Sequence, residues 1–199
     1  SFTKALEDGG EKLFHEVYEY AITNEKATKL EVAATFEEIK KKIGPEDVFV
    51  FYYAGHGVMS LEKDKESDFY IVTYDITNLY GEVAVLKEKA ISAKELMQYS
   101  MEVAAEKQLF ILDACHSGGA LESFATRGDG REKALAQLAR STGTFFLTAS
   151  QDAQYANEVG NLKHGLFTYA LLEIMEGEVG GNGDKKVTIN EVKSYVEDR

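Results

Sequence analysis

The chain has 199 residues, of which 44% are hydrophobic and 28% charged, a composition typical of one globular domain. Its formal net charge of −12 argues against a nucleic-acid partner, which would require clustered cations. No apolar run approaches the ~20 residues of a membrane-spanning helix, so we expect no membrane partner. The single cysteine excludes an internal disulfide and favours a reducing compartment, and we expect a cytoplasmic location.

Strand and helix patterns alternate along the chain. Polar residues alternating with apolar and aromatic ones predict a first strand over residues 12–21, and apolar residues at helical spacing predict a helix over residues 28–43. Further strands are predicted over residues 48–53, 69–73, 109–113 and 144–149. Further helices are predicted over residues 93–99, capped by Ser92, and over residues 131–139, 166–175 and 188–196. This order predicts an α/β fold with a mainly parallel central sheet and helices on both faces.

Two of the predicted strands end in small residues and a reactive side chain. The run LFILDACHSGG at residues 109–119 carries Cys115, and the run VFVFYYAGHG at residues 48–57 carries His56. The carboxyl ends of parallel strands share one edge of a sheet, and a thiol beside an imidazole can form a nucleophile–base pair. The alternatives are an inert buried cysteine and a structural histidine. The strand-end positions favour catalysis instead.

The glycines on either side of the histidine add to that interpretation. Gly55 and Gly57 flank His56, and residues without a Cβ leave the imidazole uncrowded and let the backbone approach a substrate. A free thiol has a pKa near ~8.5, so a hydrolase that uses one needs such a base beside it.

These two segments resemble the caspase-like cysteine peptidases, which include caspases, metacaspases, paracaspases and prokaryotic relatives. The letters YAGHG at residues 53–57 match the histidine motif, and DACHSG at residues 113–118 match the cysteine motif of the metacaspase-like branch. The histidine lies upstream of the cysteine at about the spacing of caspases. The resemblance covers roughly residues 12–199 and implies a three-layer caspase-haemoglobinase-like fold. We therefore expect one peptidase domain over residues 1–199, as a segment of a longer chain that lacks the family's first strand.

The resemblance also implies the catalytic roles. Cys115 would be the nucleophile, and His56 would accept its proton and return it to the leaving amine. The backbone N–H groups of Gly57 and Cys115 would form the oxyanion hole, where removal of one donor typically costs ~3–4 kcal/mol.

Two carboxylates bear on specificity. Asp113 precedes Cys115 by two residues and so shares its side of the strand, where it suits an arginine or lysine before the cut. Caspases carry glutamine there, whereas the metacaspase-like and paracaspase branches carry aspartate and prefer basic residues. Asp152 resembles a second acidic pocket residue, with Ala149 and Ser150 as the pocket wall. The alternatives are an Asp113 that caps the following turn and an ordinary polar loop around Asp152.

Expectations for cofactors and partners follow. We expect no cofactor and no metal site. Residues 180–191 imitate a calcium-binding loop but lack its first aspartate and its central glycine, so they predict a turn and the start of a helix instead. Calcium activation at a separate site, known in some metacaspases, is neither shown nor excluded. The expected partners are proteins or peptides with a basic residue before the cut, together with a larger host chain or an activating partner. Basic residues within 120–144 make self-cleavage a hypothesis.

The predicted function is a cysteine endopeptidase that cleaves after Arg or Lys. The alternative is a non-catalytic caspase-fold signalling or scaffold module, against which the presence of both Cys115 and His56 argues. A thiol phosphatase is excluded, because that chemistry needs an arginine six residues after the cysteine and Leu121 stands there.

Overall fold

The computed structural model describes residues 2–11, 14–60, 68–78, 83–114, 144–148, 166–175, 188, 191–192 and 194–195. The chain divides into two compact units. The larger unit is Ile22–Tyr155, and the smaller one combines Ser1–Ala21 with Ala156–Arg199.

The described part of the larger unit alternates strands and helices, as the sequence predicted. Its strands are β1 (Val48–Gly55), β2 (Gly57–Met59), β3 (Phe69–Ile71), β4 (Ile91–Ser92), β5 (Lys107–Ala114) and β6 (Thr144–Thr148). The α-helices found among the described residues of both units are α1 (Phe2–Gly10), α2 (Lys29–Lys40), α3 (Val83–Lys89), α4 (Ala93–Glu102) and α5 (Leu166–Met175). Of these, α1 and α5 belong to the smaller unit.

The central sheet is parallel, in the order β1-β5-β6. The hydrophobic runs that predicted β1 and β5 are continuous rather than alternating, a pattern typical of strands covered on both faces. β5 is buried along most of its length, whereas Val48 and Val50 of β1 are exposed. The pairing of β1 with β5 begins at Val48↔Lys107 and ends at Gly55↔Ala114. Both strands therefore finish at the same level of the carboxyl edge.

One face of this sheet packs against α2 and α4. Aromatic side chains fill the contact: Phe36 of α2 stacks on Tyr99 of α4 with ring centroids 4.3 Å apart, and Phe49 and Phe51 meet Phe110 of β5. These side chains sit at every second position of β1 and β5, so the residues between them point to the opposite face.

A second sheet is antiparallel, with the order β2-β3-β4. Its pairs run from Gly57↔Ile71 to Met59↔Phe69, and from Tyr70↔Ser92 to Ile71↔Ile91. The sequence predicted only the middle strand, as part of an apolar stretch over residues 69–73, whereas β2 and β4 are too short to show a period of their own. All three residues of β3 are buried, which anchors this sheet in the core.

Two helix starts follow the capping rules. Ser92 accepts a hydrogen bond from the N–H of Glu95 while the Glu95 carboxylate accepts one from the N–H of Ser92, a complete capping box. Thr28 caps α2 by accepting from the N–H of Glu31 at 3.3 Å. Lys29 then joins three helices, since its ammonium donates to the carbonyl of Lys87 and pairs with Glu95 at 2.7 Å.

The smaller unit corrects one prediction. The strand expected over residues 12–21 is wrong: residues 14–21 hold no strand, and residues 12 and 13 lie outside the described part. The N–H of Phe14 donates to the carbonyl of Gly10, which extends the turn at the end of α1. Phe14 and Tyr18 are exposed, so the polar–apolar alternation does not create a buried face and cannot hold a strand in place.

The predicted helix start near residue 188 is confirmed. Thr188 accepts from the N–H of Glu191, and the Glu191 carboxylate accepts from both the N–H and the hydroxyl of Thr188. Glu191, the last residue of the calcium-like run, is therefore engaged in a helix cap.

Candidate active site

The carboxyl ends of β1 and β5 bring together the two chain segments that carry the predicted dyad. Gly55 is the last residue of β1 and is the register partner of Ala114, the last residue of β5. His56 follows Gly55 directly, and its side chain is exposed. Cys115 follows Ala114 in the sequence and lies outside the described residues.

Asp113 lies on β5, on the sheet face opposite α2 and α4. Its neighbour Leu112 belongs to the core cluster on the helix-packed face, so alternation turns Asp113 to the other side. Its register partner is Ala54, which has a short side chain. Among the residues that the structure describes, Asp113 is the only buried side chain of the acidic or basic types, with 8% of its surface exposed.

The backbone of His56 is held by two donors. The N–H of Val72 donates to the His56 carbonyl at 2.9 Å, and the hydroxyl of Tyr53 lies 2.8 Å from the same oxygen. That hydroxyl also lies 2.8 Å from the carbonyl oxygen of Val72. The sequence interpretation did not assign Tyr53 a role. The sequence did contain one clue to this role: Tyr53 lies two residues before Gly55, so the two residues share a face of β1.

The structure explains the glycine at position 55 differently from the sequence analysis. A Cβ at this position would lie 2.6 Å from the Tyr53 hydroxyl oxygen and 2.9 Å from the ring carbon that bears it. The space that glycine leaves open is therefore filled by an aromatic ring of the same strand.

The N–H of Gly57 is directed away from β3. Hydrogen-bonded and non-hydrogen-bonded pairs alternate along an antiparallel ladder, and the bond from the Val72 N–H to the His56 carbonyl makes Gly57↔Ile71 a non-hydrogen-bonded pair. Gly57 itself is buried. Its N–H is thus not used by the β2–β3 ladder. An N–H that donates to an oxyanion has to meet this condition.

The remaining predicted site residues lie outside the described part of the chain. They are Cys115, Ala149, Ser150 and Asp152. The predicted helix over residues 131–139 and most of the hypothetical self-cleavage segment 120–144 also fall there. The described residues contain no group of three or more His, Cys, Asp or Glu side chains that could hold a metal ion. None of the described helices is long and apolar enough to cross a membrane.

Comparison with known proteins decides the family. A family model described as the caspase domain matches residues 10–199. The chain belongs to the caspase-domain family. The α/β fold class and the parallel central sheet predicted for this caspase domain are thereby confirmed, and family membership supports a cysteine peptidase.

A solved structure has the same fold. The caspase domain is similar to the crystal structure of protein GSU0716 from Geobacter sulfurreducens, with a TM-score of 0.61 and 16% sequence identity. The match covers 98% of this chain and 76% of that one. No match was found among curated proteins.

Proposed function

We propose that the chain is a cysteine endopeptidase that cleaves after arginine or lysine, with Cys115 as nucleophile and His56 as base. The observation that carries the proposal is the shared end of β1 and β5. Gly55 and Ala114 are register partners, neighbouring strands lie about 4.8 Å apart, and one trans peptide spans about 3.8 Å. The two strand ends that directly precede His56 and Cys115 in the chain are therefore neighbours in the sheet.

The proposed reaction begins when His56 removes the proton from the thiol of Cys115. The thiolate attacks the scissile carbonyl, and His56 returns the proton to the leaving amine as the acyl-enzyme forms. Water then releases the acyl group through the same base. The Gly57 N–H, left unused by the β2–β3 ladder, and the N–H of Cys115 would stabilise the oxyanion.

Asp113 supports the choice of a basic residue before the cut. A guanidinium offers two parallel donors to one carboxylate, so an acidic side chain close to the nucleophile suits an arginine or lysine of the substrate. Asp113 is buried two residues before the proposed nucleophile, beside the small Ala54. The proposal adds Asp152 as a second acidic residue, with Ala149 and Ser150 as pocket wall. The net charge of −12 would favour the approach of basic substrates.

The test compares peptide substrates that end in arginine, lysine or aspartate before a fluorogenic leaving group. We expect the arginine and lysine peptides to be cleaved, and Cys115→Ala or His56→Ala to lower kcat/KM at least ~10³-fold. His15→Ala is the matched histidine control and should stay within about twofold of the wild type. Absence of cleavage of every peptide, or equal activity of the wild type and Cys115→Ala, would favour a non-catalytic caspase-fold module instead.

A second comparison isolates the pocket. Asp113→Asn removes the charge with little change in size and should lower kcat/KM for the arginine peptide by about 100-fold, the loss of a charge-assisted pair. Asp75→Asn, which neutralises an exposed carboxylate in the same unit, should leave it within about twofold. Cleavage after aspartate alone would overturn the pocket assignment while leaving the dyad in place.

The proposal extends to self-processing and location. Cleavage within residues 120–144 would follow from basic residues in the chain of an enzyme that selects them. Mass spectrometry of the active enzyme tests this, and an intact segment would refute it. We propose a cytoplasmic location, because a reducing compartment favours the reduced form of the catalytic thiol.

A further inference from the structure

The hydroxyl of Tyr53 connects β1 to the chain just after β3. It lies 2.8 Å from the carbonyl oxygen of His56 and 2.8 Å from that of Val72. A phenol carries one proton, so it donates to one of these acceptors at a time or is shared between them. Together with the bond from the Val72 N–H to the His56 carbonyl, it fixes the backbone at the point where the chain leaves β1 and enters β2.

The Tyr53 ring is itself held by the core. It packs against the cluster that includes Phe69, Ile71 and Leu112, which are at most 2% exposed. The absent Cβ of Gly55 leaves just enough room for the ring and its hydroxyl. Burial raises the pKa of the Tyr53 hydroxyl well above its usual value, so the group stays a neutral donor at the pH values where proteins fold.

We propose that Tyr53 is a positioning residue for His56: its hydroxyl holds the His56 backbone carbonyl, and this fixes where the imidazole meets the thiol of Cys115. The inference rests on the proposed function, because it assigns a role relative to the proposed base. A side chain follows the backbone that carries it, and a misplacement of about 1 Å at a reacting group can cost about 100-fold in rate.

Gly55 belongs to the same arrangement. Any side chain at position 55 would collide with the Tyr53 hydroxyl and push it from the His56 and Val72 carbonyls. Gly55→Ala therefore disturbs the same hydrogen bonds as Tyr53→Phe while it leaves the hydroxyl in the protein. Tyr99→Phe is the matched control, because Tyr99 packs against the same core cluster but lies on α4.

The first experiment measures the reactivity of the Cys115 thiol in the absence of substrate. The chain has a single cysteine, so the rate of iodoacetamide uptake reports Cys115 alone. We expect the wild-type pH–rate profile to show an inflection below the ~8.5 of a free thiol, and His56→Ala to move it toward that value. Tyr53→Phe and Gly55→Ala should move it in the same direction and lower the rate at pH 7 about five- to tenfold, whereas Tyr99→Phe should stay within twofold.

The second experiment uses peptide hydrolysis and NMR. Tyr53→Phe should lower kcat about tenfold with KM unchanged within twofold, since in the proposed role Tyr53 acts through His56 and not on the substrate. The amide proton of Val72 should shift and exchange faster in Tyr53→Phe than in Tyr99→Phe, because its acceptor carbonyl is no longer held. Urea midpoints of all variants show how much of each effect is a loss of stability.

The outcomes separate this inference from the proposed function. If His56→Ala perturbs the thiol profile but Tyr53→Phe matches Tyr99→Phe in every measurement, the positioning role is refuted and the dyad stands. If His56→Ala leaves both the thiol profile and peptide cleavage unchanged, no pair exists to be positioned, and both proposals fail. A kcat loss in Tyr53→Phe that tracks only its loss of urea stability would also refute the positioning role.

Discussion

Replacing Gln108 tests how β5 is attached to α4. Gln108 is the second residue of β5 and is 4% exposed. Its amide nitrogen lies 2.9 Å from the Ser100 carbonyl oxygen, 3.0 Å from that of Ala105 and 3.3 Å from that of Val103. Its amide oxygen accepts a bond from the Ser100 hydroxyl at 2.8 Å. One side chain thus supplies hydrogen-bond partners to the end of α4 and to the turn that leads into β5, the strand that carries Asp113.

The expected cost follows from these bonds. Gln108→Met keeps the length of the side chain but removes at least three buried hydrogen bonds, worth about 1 kcal/mol each, and leaves carbonyls without donors. We expect the free energy of unfolding to fall by about 3 kcal/mol and the melting temperature by about 6–12 °C for a chain of this size.

Urea unfolding followed by circular dichroism measures the change. Gln98→Met is the matched control, because Gln98 lies on the exposed side of α4 and donates to the exposed carboxylate of Glu102. It should cost less than about 0.5 kcal/mol. Combining Gln108→Met with Ser100→Ala should cost about 1 kcal/mol less than the two single changes together. A Gln108→Met protein as stable as Gln98→Met would show that this network does not hold β5.

Three further expectations concern stability. Ser92→Ala removes the capping box of α4 and should cost about 1–2 kcal/mol, more than Thr28→Ala, whose single cap bond is exposed and 3.3 Å long; equal urea midpoints would contradict this. Burial opposes ionisation of Glu95, yet hydrogen bonds from Lys29 and Ser92 outweigh it and lower its pKa. This stabilisation is present above the unfolded value near ~4.3 and is lost as pH falls through the folded pKa, so the wild-type urea midpoint should drop more between pH 6 and pH 3 than that of Glu95→Gln. Leu112→Ala, at a position with 0% exposure, should cost about 2–5 kcal/mol by leaving a cavity, and a cost below 1 kcal/mol would refute its place in the core.

Much of the fold could be predicted because its signals are local. The run that became β1 is apolar over most of its eight residues, and β5 contains four consecutive large apolar residues at 109–112. Ser92 lies three residues before Glu95 in a capping pattern. The helix at residues 166–175 was predicted with the bounds that the structure shows. The strand predicted over residues 12–21 failed, because alternation indicates a strand only where one set of side chains is buried and a partner offers hydrogen bonds.

Part of the candidate site could also be predicted from the sequence, and part could not. The positions of His56 and Asp113 at strand ends could be predicted from the sequence, since each strand run stops there. The roles of Tyr53 and Gly55 could not, because they depend on a contact with Val72, which lies far along the chain and reaches His56 only through the β2–β3 pairing. Strands as short as β2 and β4 carry no periodicity of their own.

The sequence by itself determined the caspase-domain family, the alternation of strands and helices, and the positions of His56 and Asp113 at strand ends. These depend on the identity and spacing of neighbouring residues, which the chain carries directly. Only the tertiary structure decided the register that ends both strands at Gly55 and Ala114, the antiparallel sheet beside them, and the hydroxyl that holds the His56 backbone. Those features arise from hydrogen bonds between distant segments, which form only once the core brings the segments together.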